Sequence, residues 1–583
     1  MLLSPHDLLR VRKPARYVGG ELGAVVRNDD AIRLRFALCF PDVYEIAMSH
    51  LGSQILYSVL NCLPRVACER VHAPWPDYAD LLREKRLRLH SLETGRPLHE
   101  FAIVGFSLQT ETCYPTVLWM LDLGGVKQEA GDREDDPLVI VGGPCAVNPE
   151  PLAPFIDAAV VGDGEDVIVE LCDAWLASAH RPRAERVADL AGVESVYVPA
   201  LGTDRGVRMR KVRDLDAAPY PRRPILPHIE AVHDRVTLEI ARGCTRGCRF
   251  CQAGAIDRPA RFRSADTLKA RAREHLAATG HEEVSLLSLS AADYPGIEDL
   301  CHDLAAEHAD AGVGLALPST RVDAFSVSLA KSIGAVRRSG ITLAPEAGTQ
   351  RLRDVVNKQV SDADIMAAAE AAFASGFELV KLYFMLGLPT ETDEDAEGIA
   401  DIIARIAELG RRHGSRRGKI VTASLAAFVP KPHTPFQWEA QADGETLDRR
   451  RRIVTDALRR ERRAAVHWHD PGRALLECAL ARGGRETAEA VRQAYLLGAR
   501  LDGWDECFSS DVWVEAFRRA GLDLNDAARA LDPAVMLPWD HIRTAVSKEF
   551  LLREAERARQ GLTTADCAGV RCHGCGAGCN MAG

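Results

Sequence analysis

The stretch ARGCTRGCRFCQAG, residues 241–254, sets three cysteines within eight positions, Cys244, Cys248 and Cys251, directly after the apolar run VTLEI (236–240). Thiolates at this density select zinc, copper(I) or an iron–sulfur cluster. A structural zinc site asks for four ligands, and this loop holds neither a fourth cysteine nor a histidine. Three ligands on one loop suit a cubane cluster with one iron left open.

Working outward, VTLEI is the first of six candidate strands. EVSLLSLS (283–290), VGLALPS (313–319), ITLAPE (341–346), FELVKLYFML (377–386) and KIVTASLAAFVP (419–430) follow it. The segments between them are long enough for helices, among them SADTLKARAREHLAATG (264–280) and DADIMAAAEAAFASG (362–376). This alternation predicts a parallel barrel, wide or incompletely closed, with its chemistry at the carboxyl ends of the strands. Upstream, IRLRFAL (32–38), FAIVGFSL (101–108) and LVIVGG (138–143) read as buried parallel strands with helical stretches such as 49–61 between them. They end in the turns FPD, GGP (142–144) and VGDGE (161–165), the layout of a Rossmann- or flavodoxin-like sheet. The expected division is a first domain over 1–200, a proline-rich connector over 201–235, the barrel over 236–430, a mostly helical domain over 431–560 and a cysteine-rich tail over 561–583. The stretch 448–466 reads as a basic helix.

CTRGCRFC resembles the CxxxCxxC signature of the radical S-adenosylmethionine enzymes, placed where that superfamily has it, after barrel strand one. The resemblance implies a 4Fe–4S cluster on Cys244, Cys248 and Cys251, with S-adenosylmethionine chelating the open iron. An electron from the cluster then breaks the sulfonium C–S bond to give methionine and a 5′-deoxyadenosyl radical. It further implies that Phe250 flanks the adenine, that Ser319, Thr320 and Glu346 sit at the mouth beside the ligand, and that Arg351 or Arg353 pairs with its carboxylate. Gly387, in LYFMLGLPTETDED (382–395), falls in the strand-five motif whose backbone meets the adenosyl group.

A Rossmann-like domain before such a barrel resembles the cobalamin-binding class, in which that domain carries the corrin. KPARYVGGE (13–21), FPDVYEIAMSHLG (40–52) and PKPHTPFQW (430–438) resemble a little-characterised family of this architecture. The usual DxHxxG motif is absent: Asp42 is followed by Val43 and Tyr44, and His50 has no glycine three residues on. His50 has two readings, a ligand approaching cobalt or a helix cap. The alternative to corrin binding is a domain that packs on the barrel or shapes substrate access.

The tail carries Cys567, Cys572, Cys575 and Cys579, spaced for four thiolates around one centre, either a second iron–sulfur cluster or zinc, with His573 as a further donor. The other nine of the 16 cysteines are scattered, so no disulfide framework is implied. Charged residues sum to 73 basic against 83 acidic, a net −10 that argues against indiscriminate nucleic-acid binding. The start has no signal-peptide core and no apolar run is long enough to span a bilayer, so a cytoplasmic protein without a membrane partner is expected. The expected partners are a reductant such as flavodoxin or ferredoxin and a substrate that is RNA or protein. Trp504, Trp513 and Trp539 read as core. The expected activity is hydrogen abstraction, with cobalamin-dependent methylation as one outcome. The alternatives are methylthiolation of tRNA or a ribosomal protein, and a non-catalytic iron–sulfur protein that binds RNA or a ribosome-associated partner.

Overall fold

In Leu34–Phe40 the side chains of Leu34, Phe36 and Leu38 point to one side and those of Ala37 and Cys39 to the other, and both sets are buried. Such a strand, β1, belongs inside a sheet covered on both faces. The structure, a computed structural model, describes residues 3–27, 29–317, 322, 340–414, 418, 420–568 and 572–578. Beside β1 lie β2 (Val66–His72), β3 (Ile103–Ser107), β4 (Leu138–Gly142), β5 (Ala158–Val160) and β6 (Val196–Tyr197), in the order β2-β1-β3-β4-β5-β6. All pairs are parallel except β5–β6. The order reverses between β1 and β3, the switch point at which flavodoxin-like sheets open a ligand crevice.

β2 was not among the strands expected from sequence, because Glu69 and Arg70 interrupt its apolar run. Both are buried and paired within the protein: Glu69 accepts from Ser91 Oγ at 2.6 Å, and Arg70 bonds Glu21 at 2.7 Å and Glu93 at 2.6 Å.

One face of the sheet packs on Ile55 and Leu60 of the helix Leu51–Cys62 and on Leu171 of the helix Val167–Ala177. The other packs on Val117 and Trp119 of the helix Tyr114–Gly124. The same apolar cluster takes in Leu476, Val491 and Trp513, from the helices Pro471–Arg482, Thr487–Leu496 and Ser510–Arg519. The helical C-terminal region therefore shares its core with the first domain. Trp513 and Trp539 are core residues as expected, and Trp504 Nε1 donates to Asp42 Oδ1 at 2.8 Å.

The second α/β half has two parallel pieces. β7 (Val236–Glu239), β8 (Glu283–Leu287) and β9 (Gly314–Ala316) form one, with β8 central. β10 (Ile341–Glu346), β11 (Val380–Leu386), β12 (Val421–Ala427) and β13 (Ala464–Trp468) form the other in chain order. Among the described residues no hydrogen-bonded ladder joins β9 to β10, so closure into a barrel is not seen. β13 is a seventh strand: the basic helix ends at Ala457, and 464–466, expected to be helical, pair with Val421–Ala423. On β11, Lys381 and Tyr383 alternate with buried Val380, Leu382 and Phe384 and are exposed, leaving the inner face open.

The helix boundaries follow ordinary capping chemistry. Ser264 caps Ala265–Thr279 and Gly280 ends it in the left-handed conformation; Ser361 opens Asp362–Ala374 with a capping box.

Two features fix the halves to each other and the helices to the strands. In PKPHTPFQW, Lys431 bonds Glu111 at 2.8 Å and Glu477 at 2.7 Å, and His433 Nε2 donates to the Val147 carbonyl at 3.0 Å. This segment rivets the end of the second half to the first domain and to the C-terminal helices. Gly348, in the EAG turn after β10, meets Gly398 of the helix Asp393–Arg412 backbone to backbone. A Cβ on Gly348 would overlap the Asp395 carbonyl oxygen and the Ile399 nitrogen, which cannot swing aside. Gly348→Ala is expected to cost about 3 kcal/mol, at the upper end of overpacking penalties, read as a lower urea midpoint at an unchanged slope.

Candidate active site

The thiol loop leaves β7 through Ala241–Arg242, which pairs antiparallel with Arg261–Phe262. Gly243 then turns at φ +82°, where a side chain would strike the carbonyls of Asp257 and Pro259. Cys244, Cys248 and Cys251 follow, each half-buried and none in a disulfide. Cys251 Sγ accepts from Gly254 N at 3.2 Å, capping the short helix Gln252–Ile256. Burial pushes this thiol up to about 12, and the nearby Cys248 thiol, with a smaller effect from Cys244, adds to the rise. The loop thus brings the three sulfurs into electrostatic reach of one another. Among the described residues no group of three or more His, Cys, Asp or Glu side chains is already arranged as a metal cage.

Arg249, between the second and third cysteines, has no exposed side-chain surface. Its guanidinium bonds Glu554 at 3.0 Å, the Val355 carbonyl at 2.9 Å and the Leu562 carbonyl at 2.7 Å. Burial draws its pKa down, and Glu554 opposes that. Leaving such a buried charge without its partner costs about 3–5 kcal/mol, so Arg249 fastens the loop to the C-terminal helix Lys548–Arg559.

Arg242 fastens the loop to the first domain. It bonds Glu239 at 2.7 Å on its own side and reaches Asp163 at 3.5 Å and Glu165 in the VGDGE turn. Arg261 bonds the same Asp163 at 2.6 Å. Burial alone would raise the Asp163 carboxyl, but Arg261, Lys211 and Arg242 bring it below its ordinary value. The Gly-rich turn after β5 is therefore an inter-domain clamp.

The carboxyl edges of the two sheets face each other across a cavity of about 760 Å³. Phe40, Asp42, Ser107 and Gly143 line it from the first domain; Thr237, Glu239, Arg242, Gly243 and Ser288 line it from the second. The volume is that of a site for a sizeable small molecule.

Around the mouth, the residues expected to hold ligand have the following settings. Phe250 packs against an apolar group that includes Ala347, Leu352, Leu388 and Phe436. Glu346 ends β10 at φ +69° after a register shift, and accepts from Lys358 Nζ at 3.1 Å. Left-handed backbone at a non-glycine residue costs energy and concentrates at functional sites.

The two arginines expected near the ligand carboxylate have protein partners in the structure. Arg353 is wholly buried and bonds the Val360 carbonyl at 2.8 Å, the Ala347 carbonyl at 3.1 Å and Asp362; Arg351 bonds Asp395 and the Thr390 carbonyl at 3.0 Å. Arg353 holds the turn after β10 from inside, whereas Arg351 reaches the turn after β11 with 48% of its side chain still exposed. Gly387, at φ +84°, donates its N–H to Glu391, whose carboxyl burial pushes up to about 7 against the pull of Arg450. Ser319, Thr320 and Cys579 lie outside the described residues.

The tail runs back onto the thiol loop. Cys567 Sγ donates to the Thr245 carbonyl at 3.6 Å; Cys575 is buried beside Trp539 and Phe550, and Cys572 is exposed. Sequence reading missed Asn357, Lys358, Glu554 and Thr564 around the loop. The one available signal was the interleaving of Arg246 and Arg249 with the cysteines, since buried arginine demands acidic or carbonyl partners from elsewhere.

His50 lines the cavity, and its Nδ1 accepts from Ser53 N at 3.1 Å, capping the helix Leu51–Cys62. Ser53 Oγ lies 2.8 Å from the same nitrogen, so in this structure His50 serves as the helix cap. Burial lowers the imidazole pKa to about 4. The unfolded chain takes up this proton near pH 6.5 and the folded chain only near 4, so stability is retained above pH 6.5 and lost as pH falls between the two. Relative to His50→Asn, which keeps the cap, the native chain is expected to lose about 1.4 kcal/mol per pH unit across that window, measured by urea unfolding.

Two family models match the chain: radical SAM proteins, N-terminal, over residues 52–199, and the radical SAM superfamily over residues 238–403. The uncharacterised protein MJ0966 of Methanocaldococcus jannaschii is 30% identical over 423 residues, covering 72% of this chain and 86% of that protein. Among solved structures, the radical S-adenosylmethionine methyltransferase TsrM from Kitasatospora setae, with cobalamin and a 4Fe–4S cluster bound, aligns at 14% identity and a TM-score of 0.48, covering 69% of this chain and 77% of that one. The cobalamin-dependent S-adenosylmethionine radical enzyme OxsB, with aqua-cobalamin and S-adenosylmethionine bound, aligns at 12% identity and a TM-score of 0.47, covering 90% and 79%.

Proposed function

This chain belongs to the radical SAM superfamily, and we propose that it holds a 4Fe–4S cluster on Cys244, Cys248 and Cys251 and abstracts hydrogen from a substrate admitted to the chamber between its two sheets. The observation that carries this reading is the thiol triplet on a loop whose first residues, Arg242 and Gly243, line that chamber. Three thiols and no fourth protein ligand fit a cluster with one iron left for S-adenosylmethionine. When bound, the pair supplies reductive cleavage of the sulfonium C–S bond, yielding methionine and a 5′-deoxyadenosyl radical, with the electron coming from a donor such as flavodoxin or ferredoxin.

The chain's own residues do the rest. Arg249 and Arg242 fix the loop from below and from the side. Phe250 adds an apolar wall beside the ends of β10 and β11, where an adenine ring would be shielded from water. Glu346, held by Lys358, presents an acceptor at the mouth. Thr237, Glu239 and Ser288 offer polar contacts to substrate, and among the described residues Ser288 Oγ is buried without a hydrogen-bond partner.

The first domain is proposed to bind cobalamin in the same chamber, at its β1–β3 switch point. Methyl transfer to the substrate is then the reaction favoured. Cys567, Cys572, Cys575 and Cys579 are proposed to hold a second iron–sulfur cluster, or zinc; Gly574, Gly576 and Gly578, all at positive φ, let the chain wrap closely around such a centre. A second reading, methylthiolation of tRNA or a ribosomal protein, is favoured by the docking of Cys567 on Thr245, which brings a tail thiol beside the first loop.

The test is anaerobic. Protein reconstituted with iron and sulfide, given S-adenosylmethionine and dithionite, is expected to form 5′-deoxyadenosine, and the Cys244→Ala/Cys248→Ala/Cys251→Ala variant only background, by mass spectrometry. Added hydroxocobalamin is expected to co-elute with the protein on gel filtration. Failure of the native protein both to form the nucleoside and to bind S-adenosylmethionine defeats the assignment and favours a non-catalytic iron–sulfur protein.

A further inference from the structure

Residues 562–567 follow the helix Lys548–Arg559 and run alongside the thiol loop in the opposite direction. The Leu562 carbonyl accepts from Arg249 at 2.7 Å. Thr564 exchanges two hydrogen bonds with the side chain of Asn357, its N–H donating at 2.9 Å and its carbonyl accepting at 3.0 Å. Asp566 pairs with Arg246 at 3.1 Å, and Cys567 meets the Thr245 carbonyl at 3.6 Å. As the tail advances from 562 to 567, its direct contacts on the loop retreat from 249 to 245.

The supports beneath this pairing are themselves buried. Asn357 Nδ2 also donates to the Gly247 carbonyl at 3.1 Å, so one side chain grips the loop and the tail together. Glu554 takes Arg249 on one side and the Thr564 hydroxyl, at 2.8 Å, on the other. Asn357 is 1% exposed and Glu554 4%, which makes each of these bonds costly to leave unmade.

We propose that residues 562–567 are a strap that fixes the backbone course of the thiol loop, with Asn357, Glu554 and Thr564 as positioning residues acting through Arg246, Gly247 and Arg249. A loop of thiols needs such support, because three sulfurs that must converge on one cluster also compete to stay apart once ionised. The strap supplies the closing force from the far end of the chain, next to the tail cysteines, so an event at the tail reaches the first cluster through a continuous set of hydrogen bonds. This consequence for a cluster rests on the function proposed above; the hold of the strap on the loop does not.

The two are separated by reading the loop without metal. In metal-free native protein, alkylation of Cys244, Cys248 and Cys251 by iodoacetamide is followed peptide by peptide, with buried Cys39 and Cys68 as internal reporters of an intact fold. Asn357→Ala and Glu554→Gln are expected to speed alkylation of the three loop thiols roughly tenfold, the effect of losing about one buried hydrogen bond. Cys39 and Cys68 stay protected, and the exposed-site control Glu549→Gln leaves every rate unchanged. If Asn357→Ala loses its fold, exposing Cys39, the milder Thr564→Val carries the same measurement. In reconstituted protein the strap variants are expected to retain less iron and to shift the midpoint potential and electron paramagnetic resonance line shape of the reduced cluster. Loop thiols that react at native rates in folded Glu554→Gln and Thr564→Val overturn the strap. Native protein that takes up no cluster overturns the proposed function, while the alkylation rates still decide the strap.

Discussion

The arrangement of the whole chain depends on a buried ion network at the seam between its two sheets. Arg242 and Arg261 of the second half meet Asp163 and Glu165 of the first, with Glu239 completing the charge balance. Ion pairs taken out of water seldom add much net stability, because desolvation cancels most of the Coulomb gain. What they impose is geometry: any other docking of the two sheets would strand several charges. The network sits where both sheets end, so it forces the two carboxyl edges to face one another. Each edge is the place where its fold class binds ligands, and the cavity follows from the apposition.

The second anchor acts at longer range. Lys431 and His433 reach from the segment after β12 to Glu111 and Val147, and Asn148 Nδ2 donates to the Ala481 carbonyl at 2.9 Å. The thiol loop is thereby caught between two supports: the first domain through Arg242 and the C-terminal helix through Arg249. The loop turns on Gly243 and Gly247 at positive φ and packs mainly through Arg249 and Phe250. Its shape is fixed by charges that end elsewhere in the sequence.

That division explains what could be read in advance. Strands such as 236–240 and 341–346 and helices such as 264–280 announced themselves through apolar runs and capping residues, which are local signals. So did the cysteine spacing. β2 stayed hidden because Arg70 is satisfied by Glu21 and Glu93 and Glu69 by Arg35 and Ser91, and β13 because a run of arginines concealed the end of a helix. Nor did the sequence show that Arg353 bonds the backbone of its own turn while Arg351 reaches Thr390 and Asp395. Asn357 and Glu554 gave no signal at all, since their partners lie up to about two hundred and more than three hundred residues away in sequence. Patterns reveal what a residue does for its own element. They do not reveal which distant carbonyl it ends on.

The same reasoning bears on what counts as a unit in this protein. Sequence divides the first 200 residues neatly from the rest, and their six strands form one sheet. All but the last pair of that sheet are parallel, yet the face carrying Ala37, Cys39 and Phe106 is completed by Leu476, Val491 and Trp513, which come more than 350 residues after β3. Without those helices, part of that apolar cluster would lie open to water, at about 25 cal/mol for every square ångström. The first sheet therefore reaches its final form only when the C-terminal helices close over it, and those helices lead directly into Lys548–Arg559 and the residues lying on the thiol loop. Completion of one core and support of the cysteines are consecutive acts of one stretch of chain, which is why the chemistry-bearing loop sits in the middle of the sequence but is secured by its end.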